Sequence, residues 1–191
     1  MDHKGVKNVV AEAKDGFVGA IEGTGDIAGA LVDTASAVTI RTLRGTNAVG
    51  VELLALGAAA VTGIVQGVAQ VGATAGDAAR SIMVGALRGV RTVGTTSIET
   101  VSTHAAALVR ATDEVGGDVG HAAKGAVEGA IETARDLGIS AEQAAGAAAA
   151  GALRAAGAIG STAHVEVHRV LTGSVSGIKN VLKEPYRSRS R

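Results

Sequence analysis

Five histidines and no cysteine bound the chemistry open to this chain. The absence of cysteine removes disulfides, thiol nucleophiles and thiolate metal sites. The densest cluster is His164-Val-Glu166-Val-His168. On a helix it sets two imidazoles one turn apart, a spacing that suits a metal but lacks the HExxH order of zinc proteases. Surface histidines are the favoured reading. No Ser/His/Asp set, phosphate loop followed by a strand, or carboxylate cluster stands out. The expectation is therefore no enzyme, no catalytic residue and no metal site. His104, Glu142 and His164 are odd for another reason: each sits where its neighbours in the pattern are apolar. They are candidates for fixing register or choosing a partner, as buried polar residues do in coiled coils.

That pattern is what must position them. Gly63-Ile-Val-Gln-Gly-Val and Gly85-Ala-Leu-Arg-Gly-Val open two abutting segments of equal length. The same opening returns at Gly19, Gly129, Gly151 and Gly173. An apolar-glycine pair keeps step at Gly50, Gly72, Gly94, Gly116, Gly138 and Gly160. The chain thus carries a repeat of 22 residues that halves into elevens. Eleven residues make three helical turns, about 98° per residue, close to a straight α-helix. One apolar column runs through Val32, Leu43, Leu54, Val65 and Leu87, and another through Val38, Val49, Ala60, Val71 and Ile82. A polar column lies opposite, through Asp33, Arg44, Gln66, Asp77, Arg88, Glu99 and Arg110. The reading is all-α: long, Gly/Ala/Val-rich amphipathic hendecad helices.

Between the apolar columns runs a centre of small residues. It includes Ala35, Gly57, Val68, Ala79, Val90, Val101, Ala123, Ala134 and Ala145. A tight dimer usually places its largest side chains there. A small centre with large shoulders suits a ring of helices, so these residues are expected to line an apolar lumen. A glycine inside a helix costs about 1 kcal/mol relative to alanine, and the chain holds 28 glycines in all. Close helix packing is the expected compensation, at Gly50, Gly63, Gly67, Gly72, Gly76, Gly85, Gly89 and Gly94. The architecture this implies is a homo-oligomeric helical tube or bundle.

At 191 residues, with one Phe, one Tyr and no Trp, the chain lacks the large side chains of an ordinary globule. A lone Val/Ala face then needs copies of itself, another protein or lipid. The net charge is zero, which gives no support for nucleic-acid binding. Residues 1–76 read as an amphipathic, weakly charged stalk, expected to lie nearest a membrane. Within it Leu53 to Gly76 is uncharged and long enough to cross a bilayer, though mild for a spanning helix. Residues 77–184 read as the scaffold, with breaks near 116–117 and 138–140, where Ser140 and Gln143 form a capping box. Residues 185–191 are basic (Arg187, Arg189, Arg191) and expected to be disordered. The N-terminal stretch has no signal-peptide run, so a cytoplasmic, peripherally membrane-associated protein is expected.

Two resemblances follow. The 11-residue columns, and stretches such as KGAVEGAIETARD from Lys124 to Asp136, resemble lipid-surface proteins of the perilipin and synuclein type. That resemblance implies a coat on lipid droplets or membranes. Size, Gly/Ala-rich helices and the lack of catalytic residues resemble the scaffold subunit of the high-affinity actinobacterial uptake nickel–iron hydrogenase Huc. This second resemblance is preferred. It implies a tetrameric hollow stalk that holds hydrogenase catalytic subunits and carries menaquinone to them from the membrane.

Overall fold

The computed structural model describes residues 3–24, 27–44, 51–71, 75–94 and 97–174. They form eight α-helices: α1 (His3–Thr24), α2 (Ile27–Arg44), α3 (Val51–Val71), α4 (Ala75–Val93), α5 (Ile98–Glu114), α6 (Val119–Leu137), α7 (Ala141–Ile159) and α8 (Ser161–Ser174). The all-α expectation holds. Long helices do not: the longest has 22 residues and the shortest 14.

Local chemistry explains the breaks that fall within the described residues. Gly94, Gly116 and Gly138 stand at φ of +80°, +71° and +71°, a left-handed conformation that ends a helix and strains any residue with a Cβ. At Gly138 the N–H donates to the Arg135 carbonyl and the next N–H, of Ile139, donates to the Ala134 carbonyl. Ser140 then restarts the chain, its hydroxyl accepting from the Gln143 N–H while the Gln143 side chain accepts from the Ser140 N–H. Ser97 and Asp118 cap α5 and α6, their side chains accepting from the Thr100 and His121 N–H groups. The breaks expected near 116–117 and 138–140 are both present.

Among the described residues, helices touch only those next or next-but-one in chain order. Two rows result, α1-α3-α5-α7 and α2-α4-α6-α8. Gly85 of α4 meets Val32 and Ala35 of α2, and Gly89 meets Ser36 and Thr39. Both contacts advance in the same sense, so α2 and α4 run parallel. Gly125 and Gly129 of α6 repeat this on Gly76, Arg80 and Met83 of α4. The intervening helices return the chain, so the odd row runs the opposite way.

Alanine and valine make up most of the core. Here the sequence expectation of a face with no core of its own is corrected. The chain supplies the matching faces itself, because each break folds one copy of the pattern back onto another. Among the described residues, no helix is long and apolar enough to cross a membrane.

Candidate functional site

The residues expected to line a lumen occupy the interior of the single chain. Ala35, Val68, Ala79, Val90, Val101, Ala123, Ala134 and Ala145 are buried, as is Gly57. Their small size has a direct cause. A methyl placed on Gly85 would collide with the Val32 carbonyl oxygen and sit 2.7 Å from the Ala35 Cβ. Gly63 makes the equivalent contact with Val10 and Ala13. A small central residue on one helix therefore seats under a glycine of the next-but-one helix, and backbones meet there.

The glycines expected to pack helices divide by position. Gly63, Gly85 and Gly89 are such contacts, whereas a side chain at Gly76 would find only ordinary contact with His121. Gly67 is buried. Gly94 is corrected: nothing lies within 4 Å of its Cβ position, and its role is to end α4. Gly50 and Gly72 lie outside the described residues, as does the basic tail. Gly151, whose Cβ position runs into the Ser102 carbonyl, is a further packing glycine. Its place at the head of a repeat was the available signal.

The three polar residues in apolar columns have three different fates. Glu142 is exposed in the first turn of α7, where a carboxylate suits the helix dipole. His164 is exposed near the start of α8, its Nδ1 3.4 Å from the Leu153 carbonyl oxygen. His104 is interior, with 1% of its surface exposed. Its Nδ1 donates to the Thr100 carbonyl at 2.8 Å, which fixes the tautomer because a carbonyl can only accept. Among the described residues, Nε2 has no hydrogen-bond partner. Its Cε1 and Nε2 both lie 2.9 Å from where a Cβ on Gly57 would stand, so the ring rests on the backbone of α3. Burial pushes its pKa below the ordinary imidazole value, against the opposing pull of the Thr100 hydrogen bond.

A cleft of about 470 Å³ opens between the α5–α6 turn and the start of α8. Asp113, Asp118, Glu166, Ser161 and Thr162 are among its lining residues. Asp118 is already engaged: its carboxylate accepts from the His121 N–H at 2.9 Å and lies 2.7 Å from the His121 ring. Partial burial would raise its pKa, but these bonds outweigh that and hold it below the usual carboxylate range. The cleft thus offers fixed negative charge and hydroxyls but no assembled base–nucleophile pair. Among the described residues, no three of His, Asp and Glu are grouped to hold a metal.

The ends of the stack differ chemically. At the first end, Glu12 and Asp15 of α1 are exposed where the matching residues of α3, Leu56 and Ala59, are buried. Arg41 of α2 occupies the position that Gly85 holds on α4 and pairs with Glu12 at 3.0 Å. At the far end, α7 carries no such charges. Ser102, Ala106 and Val109 of α5 are buried, yet their counterparts on α7 are the partly exposed Gly146, the exposed Ala150 and the partly exposed Leu153. No protein-family model matches the chain, and no curated protein is significantly similar to it.

Proposed function

We propose that this protein is a non-catalytic helical scaffold that self-associates through the outer face of α7 and holds partner proteins along its charged sides. The observation that supports this reading is the asymmetry of the two ends. A stack of near-neighbour helices needs a polar outer face wherever it stops in solvent. Glu12, Asp15 and Arg41 provide one on α1 and α2, whereas Gly146, Ala150 and Leu153 leave α7 with a small, apolar, uncharged strip. Between Glu142 and Arg154 the sequence of α7 holds no ionisable residue.

The hydrogenase resemblance supplies a candidate partner, a redox enzyme at the membrane. The column expected to conduct quinone is used by the chain's own core, so the scaffold half of that resemblance is the part carried forward.

Light scattering on the purified protein tests the assembly. The parental chain should form a defined oligomer without lipid, and Ala150→Arg should reduce it to monomer with unchanged helicity. A monomeric parental protein that associates only with vesicles would favour the lipid-coat reading instead. Native purification followed by identification of bound proteins then tests the scaffold role; recovery of the chain alone counts against it.

A further inference from the structure

We propose that His104 is an acid-sensitive latch that holds α5 on α3 while its ring is neutral and releases it on protonation. The geometry carries the argument. The ring is seated directly on Gly57, with no side chain between imidazole and backbone. One nitrogen is committed to the Thr100 carbonyl, within its own helix. The other faces the interior with a bare lone pair and, among the described residues, no partner. Protonation would place a second N–H, bearing charge, where nothing accepts it. Burying an unpaired charge costs far more than losing a packing contact, so the charged ring must leave its seat.

Among the described residues, no charged group is bonded to the ring. The sole ionisable residue of α3 is Glu52, five residues from Gly57 in the sequence. Asp77, Arg80, Arg88 and Arg91 on α4 are exposed, as are Glu99, Arg110, Asp113 and Glu114 on α5. On α6, Lys124 and Glu128 are partly exposed and pair with each other at 3.7 Å, while His121, Glu132, Arg135 and Asp136 are exposed. On α7, Glu142 and Arg154 are exposed, and Arg154 reaches the Ser102 hydroxyl rather than the ring.

The direction follows from burial. The seated ring has a lowered pKa and the released ring an ordinary one near 6.5. The two forms bind protons equally above about 6.5, and the latch stays closed there. Below it the released form binds the extra proton. Each further pH unit then favours release about tenfold, until the seated ring itself titrates. In a stack joined only by near neighbours, release at this joint loosens the odd row between α3 and α5 and leaves the α7–α8 end in place.

Nuclear magnetic resonance on the full chain tests the latch. At pH 7.5 the His104 ring should show the Nδ1–H tautomer. Between pH 7.5 and 5.5, amides of α3 and α5 should lose exchange protection, corrected for intrinsic exchange, by about tenfold per pH unit below 6.5. Amides of α7 should not follow. His104→Leu should abolish the pH dependence in α3 and α5. An in-place titration of His104 with protection intact would overturn the proposal, and so would the same acid response in His104→Leu. Should that variant fail to fold, the parental titration and exchange decide between the two outcomes alone.

Discussion

Gly85 and Gly16 are both helical glycines, and the structure gives them opposite roles. A methyl at Gly85 strikes the Val32 carbonyl and crowds the Ala35 methyl, neither of which can swing aside. Gly85→Ala should therefore destabilise the chain by roughly 1–3 kcal/mol, the range for overpacking a tight contact. Gly16 has nothing within 4 Å of its Cβ position. Gly16→Ala should stabilise by about 0.5–1 kcal/mol through helix propensity alone. Chemical denaturation of the two variants separates the classes, and equal shifts would contradict the assignment. Composition and spacing made the importance of glycine legible, and Gly63, Gly85 and Gly89 were placed correctly. What spacing could not separate was a glycine that admits a neighbouring backbone from one that ends a helix. Gly94 and Gly85 occur with equal regularity, and the sign of φ and the space at the Cβ position distinguish them.

At the scale of helices, the signals that start and stop each element were readable in part. Ser140 with Gln143 announces a helix start, and Gly138 just before it announces a stop. The same logic applied to Gly94 and Ser97 would have broken the chain there too. The unshifted repeat phase argued for continuity instead, because a helix that folds back can keep its pattern in step when every turn has a similar length. The cap at Asp118 offers a measurement. Its side chain receives the His121 N–H at 2.9 Å, and loss of such a cap costs about 1 kcal/mol. Its folded-state pKa is depressed, so the charged cap contributes fully above the ordinary carboxylate value near 3.9 and is lost as pH falls through the folded value. Asp118→Ala should lower stability at pH 7 and narrow the gap to the parental protein in acid. Asp118→Asn should keep most of the cap with little of that pH dependence. If the gap between the parental protein and Asp118→Ala stayed constant from pH 7 to pH 3, the carboxylate charge would add nothing.

At the scale of the molecule, the decisive property is that contacts among the described residues stop at the next-but-one helix. The apolar arc was visible in the columns: the described members of the central column are buried and most of the polar column is exposed. Which copy of the arc meets which was not visible, since every copy fits every other about equally well. That ambiguity led from a small-residue centre to a tube of several chains, whereas short glycine-ended helices let one chain satisfy the same faces. A near-neighbour stack also has a distinctive thermodynamic consequence. Its stability is roughly a sum of element and interface terms, so damage should spread locally rather than collapse the molecule. Ala13 of α1 is fully buried against Gly63 of α3. Ala13→Asp places a carboxylate at a backbone contact with no partner, a change that should melt α1 and weaken α3. Native-state hydrogen exchange should then show protection lost in α1, reduced in α3 and retained in α6, α7 and α8. Uniform loss of protection across all eight helices would mean that the chain folds as a single cooperative core, and the additive description of the stack would fail.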